Sequence, residues 1–243
     1  MDVAFEPIRV RRTQLRDIAY DHIKEMIVSN RLAPGTLVTI DELVGRLAVS
    51  RTPVREALLR LQSEHLVDIL PQRAVRVTEI TPDEVRELFA VRELLECAAV
   101  EHASQAIPVA ALDALDEQIV AAERQAETGD CGLYVRSDLE LHGLILLHSG
   151  NGLLAELLTV IHDRAKRVRI FSGVYHHGEY LAVVTAEHRA LVDALRRRDA
   201  ATARDVLTDH LRRSTQRILA QIGSRRTGDS RTTSGRRAGS PAG

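Results

Sequence analysis

Four residues in the C-terminal half have the types and spacing of a metal-ligand set. Asp138 and His142 are four apart, so on a helix both project from one face. Tyr134, Leu141 and Ile145 share that face and turn it inward. His188 and His210 each stand 11 positions from Asp199. If Asp199 is the turn of a helical hairpin, a rise of about 1.5 Å per residue brings the two imidazoles to the same height on antiparallel neighbours. One carboxylate and three imidazoles converging inside a bundle suit a divalent ion, zinc first, with nickel or manganese as other candidates. The chain has 10 histidines, so an acid four residues from a histidine also arises by chance. Spacing alone leaves both readings open.

A second constellation lies near the N-terminus. Ser50, Arg51, Thr52 and Arg55 open a helical run. Two arginines and a hydroxyl on the first turn and a half of a helix suit a guanine edge and the phosphate backbone. The plain reading of the same arginines is an exposed, ion-paired helix face. Arg92 is the third residue of interest. It falls with Val85, Leu88, Phe89, Leu95 and Ala99 on an inward face, and a buried guanidinium needs a partner. That partner is either Glu96, one turn away, or the carboxylate of a bound small molecule held by a two-pronged contact.

These residues need elements to carry them. Leu15 to Ile27 recur at helical spacing, and Pro34-Gly35 ends that first helix. Thr39-Ile40-Asp41-Glu42 is a capping box opening a helix over Ile40–Leu47. Ala48-Val49 is the turn, and the next helix runs from about Ser50 to Glu64 with Val54, Ala57, Leu58 and Leu61 inward. Pro53 falls in its first turn, where a missing N–H costs nothing. Leu66–Leu70 and Val75–Thr78 read as strands joined by a hairpin tip at Pro71-Gln72-Arg73-Ala74. Helix, helix, helix, hairpin is a winged helix-turn-helix. A second capping box, Thr81 to Glu84 with Pro82 inside it, opens a helical region that hardly breaks before Ile222. Its segments are about 82–104, 108–128, 130–149, 152–172, 177–198 and 200–221. The fold class is therefore mainly α: an N-terminal winged helix-turn-helix with a small β-hairpin, then an antiparallel bundle of six helices, or seven. The expected divisions are a flexible arm at 1–13, the reading head at 14–78, the helical domain at 79–222 and a disordered basic tail at 223–243.

Composition agrees with this division. Aromatics are 3% of the chain and tryptophan is missing, so the core must be aliphatic. The overall charge of −1 hides an uneven distribution: residues 9–77 carry net +4, residues 78–222 net −7 and the tail net +4. A basic module on an acidic body is a mild nucleic-acid signal. No apolar run reaches the roughly 18 residues that a membrane span needs, and the N-terminus has no secretory apolar core. Cys97 and Cys131 are the two cysteines, read as reduced thiols of a cytoplasmic protein. His176 and His177 read as solvated loop residues.

The run LAPGTLVTIDELVGRLAVSRTPVREALLRL resembles the DNA-binding domain of the GntR family of bacterial transcription regulators. The resemblance implies a homodimer on palindromic double-stranded DNA. Ser50, Arg51, Thr52 and Arg55 would lie in the major groove, and Gln72 and Arg73 of the wing in the minor groove. The family usually has glycine where His65 and Ala74 stand. Some members carry a DNA-contacting arginine where this chain has Asp41, and an acid there is expected to repel phosphate, so that position is given no role. Residues 80–221 resemble the FCD effector domain of the FadR subfamily. The resemblance is carried by Val91-Arg92-Glu93-Leu94-Leu95-Glu96, Asp138 with His142, Ser149-Gly150-Asn151, Glu187-His188 with Leu191, and Asp209-His210-Leu211. Six helices would resemble the VanR-like branch. The resemblance implies that Asp138, His142, His188 and His210 ligate a divalent cation and that Arg92 faces the effector.

The expected protein is a DNA-binding regulator, a repressor in preference to an activator. Its effector would be a small organic acid bound beside the metal. Two rivals are a metal-dependent enzyme, for which no general base is placed beside the ligands, and a sensor in which the ion itself is the signal.

Overall fold

The computed structural model describes residues 12–71, 74–126, 132–174 and 178–234. The chain divides into two units, residues 1–80 and 81–243.

The first unit holds α1 (Arg12–Val28), β1 (Leu37–Thr39), α2 (Ile40–Leu47), α3 (Arg51–Ser63), β2 (Val67–Ile69) and β3 (Ala74–Val77). The capping box forms as the sequence predicts: the Glu42 N–H donates to Thr39 Oγ1 at 3.2 Å and the Thr39 N–H to Glu42 Oε2 at 2.7 Å. Two donors that α2 would otherwise leave bare are thereby satisfied. Ala48 then takes a left-handed conformation, φ 52°, and turns the chain sharply into α3. Ile23 and Ile27 of α1, Leu43 of α2, Val54, Leu58 and Leu61 of α3, and Val75 of the sheet form one aliphatic core. The helix α3 is thus fixed by its inner face, with its outer face left for function.

The sheet has one strand more than the expected hairpin. β1 pairs antiparallel with β3, and β3 with β2, in the order β1-β3-β2. β1 is only three residues long and its Leu37 is exposed, so no alternation of apolar and polar residues announces it. Gln72 and Arg73, expected at the wing tip, lie outside the described residues, as do residues 1–11, Cys131, His176 and His177.

The second unit holds α4 (Pro82–Ala106), α5 (Val109–Ala126), α6 (Gly132–Leu147), α7 (Gly152–Ser172), α8 (Gly178–Arg196) and α9 (Ala200–Ser234), six helices among the described residues. Their ends follow local chemistry. The Thr81 hydroxyl accepts from the Glu84 N–H at 3.1 Å at the start of α4. Asn151 caps α7, and Asp199 accepts from the Thr202 N–H at 3.0 Å at the start of α9. α4 is central, packing on α6, α7 and α9, and α8 packs on α5 and α9. Between them lies a core of Val100, Leu112, Ile119, Leu141, Ile145, Leu191, Leu195, Leu207 and Leu211. α9 continues to Ser234, so residues 223–234 are helical where the composition predicted disorder. Residues 235–243 lie outside the described part. Among the described residues no helix is long and apolar enough to cross a membrane.

Candidate functional site

The helical unit brings the four expected ligands together. Asp138 and His142 come from α6, His188 from α8 and His210 from α9, all fully buried. Each offers one ligand atom, and these atoms lie within 4.8 Å of one another. The rings of His188 and His210 are 4.8 Å apart, centroid to centroid, as their equal spacing from Asp199 predicts. The sequence also places Tyr134 on this face, and its ring stacks on His188 with centroids 6.0 Å apart.

The partners of the imidazoles decide which nitrogens remain for a ligand. His142 Nδ1 donates to Glu96 Oε2 at 2.6 Å, and His210 Nδ1 donates to Glu187 Oε2 at 2.9 Å. A carboxylate on Nδ1 fixes the ring's tautomer and leaves Nε2 unprotonated. Nε2 of His142, Nε2 of His210 and both nitrogens of His188 are buried with no hydrogen-bond partner among the described residues. A buried polar atom left unpaired costs about 1–3 kcal/mol. Several such atoms converging beside a carboxylate fit a divalent cation.

Electrostatics agree. Burial pushes the His142 imidazolium down to about 4, against the pull of Glu96. Burial above all, and then the closeness of the His210 ring, holds His188 well below its ordinary value. Neutral rings are what a metal requires. Asp138 stays ionised: burial alone would raise its carboxyl, but Arg169 and then His142 and His188 hold it below the usual carboxylate range. Arg169 Nη1 lies 3.0 Å from Asp138 Oδ1 and 2.7 Å from Oδ2.

Arg92 is fully buried and meets its expected helical neighbour, but only in part. Its Nε–H donates to Glu96 Oε1 at 2.5 Å, while Nη1 and Nη2 have no hydrogen-bond partner among the described residues. Glu96 also accepts from His162 Nε2 at 2.8 Å. Burial opposes its charge, but Arg92, His142 and His162 hold its carboxyl well below the ordinary range. Sequence reasoning gave Glu96 no role beyond a candidate ion pair, gave Glu187 none beyond the resemblance it helps to carry, found no partner for His162 and missed Arg169. His162 and Arg169 are seven apart on α7, a same-face spacing that marks them as a pair but not what they face.

In the first unit Arg51, Thr52 and Arg55 are exposed on the outer face of α3. They line a hollow of about 410 Å³ with Ile40, Leu58, Leu59, Ile69 and Leu70. Ser50 is the N-cap of α3, and its hydroxyl makes no capping bond. Arg55 has no ion-pair partner among the described residues. Arg51 is held: its Nε–H donates to Asp41 Oδ1 and its Nη2–H to Asp41 Oδ2, both at 2.8 Å. Asp41, expected to have no role, therefore touches the candidate reading face.

Comparison with known proteins follows the same division. Residues 15–77 match the gntR family of bacterial regulatory proteins, and residues 87–213 match the FCD domain. An uncharacterized HTH-type transcriptional regulator in an unstable DNA locus of Streptomyces ambofaciens is 30% identical over 204 residues, 83% of each chain. The HTH-type transcriptional repressor RspR of Escherichia coli is 26% identical over 199 residues, 82% of this chain and 86% of that one. Among solved structures, Escherichia coli McbR has the same fold, with a TM-score of 0.75 at 24% identity over 86% of this chain and 98% of that one.

Proposed function

From the chain's membership of the GntR family of bacterial regulators, with an FCD domain after the reading head, we propose a repressor whose operator affinity is modulated by a small organic acid. The family makes the chain a DNA-binding transcriptional regulator with an effector-binding C-terminal domain, and not an enzyme. The finer reading is a cytoplasmic homodimer on a palindromic operator. Ser50, Arg51, Thr52 and Arg55 contact DNA in the major groove, with Gln72 and Arg73 at the wing. Asp138, His142, His188 and His210 hold a divalent ion, zinc by the preference of an imidazole-rich set.

One observation carries the effector reading. The two amino groups of Arg92 are buried and unpaired beside a cluster of equally unpaired ligand atoms. An ion bound there would supply a Lewis-acid anchor for one oxygen of a carboxylate. Arg92 offers the parallel N–H pair that a carboxylate accepts. Glu96 and Glu187 keep the rings of His142 and His210 turned so that Nε2 faces inward. Burial of Arg92 and the four ligands keeps water from competing for these contacts. An effector whose affinity for the DNA-bound and released forms differs by about 1–3 kcal/mol changes operator affinity roughly 5- to 150-fold.

The test is capture of sheared genomic DNA by the purified, zinc-loaded protein, repeated with a panel of small mono-, di- and hydroxycarboxylates and again after chelation. Enrichment of a short palindrome that one carboxylate class changes is the expected result. A palindrome indifferent to every acid but lost or gained on chelation alone would replace the organic effector by the ion as signal. Failure to enrich any sequence would overturn the operator-binding reading.

A further inference from the structure

We infer that Asp41 is a positioning residue for base recognition: its carboxylate holds the Arg51 guanidinium so that Arg51 presents its outer N–H pair to a guanine in each half-site. The inference rests on the reading of α3 as the recognition helix.

The geometry is specific. A guanidinium has five N–H donors in a fixed plane. The Nε–H and one Nη2–H go to the two oxygens of Asp41, both at 2.8 Å. This side-on contact leaves the edge between Nη1 and Nη2 untouched, and that edge matches O6 and N7 of guanine. The carboxylate is itself well fixed. Asp41 sits in the first turn of α2, which the Thr39–Glu42 capping box closes and whose Ile40 and Leu43 are buried. Arg51 is the first residue of α3. The pair thus bridges the two helices of the helix-turn-helix at the point where they meet the reading face.

The pair is poorly placed to stabilise the fold. Both side chains are about half exposed, 52% and 57%, and exposed ion pairs contribute little to stability. Its effect is on the arginine: a long, freely rotating side chain is held in one arrangement before DNA arrives, which lowers the ordering cost of binding. Two-point pairing also neutralises Asp41, so the acid does not face phosphate as a bare charge. Arg55, four residues on, has no such holder among the described residues, and the two arginines are therefore not equivalent.

The opposite consequence of the same contact is sequestration, in which Asp41 keeps Arg51 from DNA. The two differ in sign. The full-length protein is taken through selection from random-sequence duplexes, and affinities for the duplex selected by the unmodified protein are read by fluorescence anisotropy at fixed salt. The unmodified protein is expected to select a palindrome with an invariant guanine in each half-site. Asp41→Ala and Asp41→Asn should select sites degenerate at that guanine and bind the original duplex about 5- to 30-fold more weakly, with an unchanged thermal midpoint. Combining Asp41→Ala with Arg51→Ala should be no worse than Arg51→Ala alone. Equal or tighter binding by Asp41→Ala with the guanine retained overturns the positioning role, as does additivity with Arg51→Ala. If Arg51→Ala itself leaves selection unchanged, the recognition-helix reading falls, a result distinct from failure of the Asp41 variants alone.

Discussion

Arg92 and Glu96 meet through one nitrogen only: Nε donates to Oε1 at 2.5 Å, and the two terminal amino groups of the guanidinium remain buried and unpaired among the described residues. The ion-pair and effector readings of Arg92 thus fall on different edges of the same group. Arg92→Lys keeps a charge for Glu96 but cannot offer a two-pronged contact. The variant should keep its metal content and operator affinity while the effector response weakens about 10- to 100-fold, the loss of charged hydrogen bonds worth roughly 1.5–3 kcal/mol. Titrating an operator complex with the active carboxylate checks this. An unaltered response would return Arg92 to a purely structural pair.

Glu96 and Glu187 play the same part for different rings, each accepting from the Nδ1 of one candidate ligand. Glu187→Gln is the cleaner variant, because Glu187 is less buried than Glu96. Removing such a partner typically weakens metal affinity about 10- to 100-fold. Competition against a zinc-binding dye would measure it, with His210→Ala as the variant expected to empty the site by mass spectrometry. Full metal retention in His210→Ala would place the ion elsewhere.

Without metal the protein should lose stability on acidification from about pH 6.5, well before ordinary carboxylates titrate. His142 titrates at about 4 and His188 is also well below its ordinary value, both chiefly through burial. An unfolded histidine takes up its proton near 6.5, so between that value and the folded one the unfolded state binds more protons. Stability therefore falls as pH falls, and for His142 the total by pH 4 is on the order of 3 kcal/mol. The depressed Glu187 carboxyl, at about 2, adds a further loss below about 4.5. Thermal midpoints of chelator-treated protein from pH 8 to pH 4 test this. A flat profile above pH 5 would contradict the buried neutral imidazoles.

Ala48 and His65 both occupy left-handed backbone, at φ 52° and 57°. A residue with a Cβ pays about 1–2 kcal/mol there. Ala48→Gly should stabilise the reading head by about 1 kcal/mol, and His65→Gly by less, since histidine is among the residues that tolerate this region. Urea denaturation is the measurement, and a destabilised Ala48→Gly would mean that glycine's freedom in the unfolded chain outweighs the relief.

Arg55→Ala should cost specific affinity roughly 1–3 kcal/mol if the side chain reads a base. A loss that is uniform across unrelated sequences would mark it instead as a phosphate contact.

Much of this molecule was legible because its signals are local. The Thr39 and Thr81 caps, the four-residue spacing of Asp138 and His142, and the symmetric placement of His188 and His210 about Asp199 all depend on neighbours along one helix or one hairpin. What escaped depends on packing between distant segments. Glu96 and His142 are 46 residues apart, and no periodicity links them. β1 exists because β3 offers it an edge. Asp41 looked like a repulsive charge until the helix-turn-helix geometry set it opposite Arg51. The continuation of α9 to Ser234 went unseen because its residues are polar, and polarity was read as disorder.

The four candidate ligand atoms come from three helices, α6, α8 and α9, and the outermost, Asp138 and His210, are about 70 residues apart in the chain. An ion held there is a reversible cross-link that closes this long loop, comparable in entropy to a disulfide of the same span, roughly 4 kcal/mol. The ion would thus serve as the staple of the sensing domain, and the number of working regulator molecules would follow the supply of metal as well as the rate of synthesis.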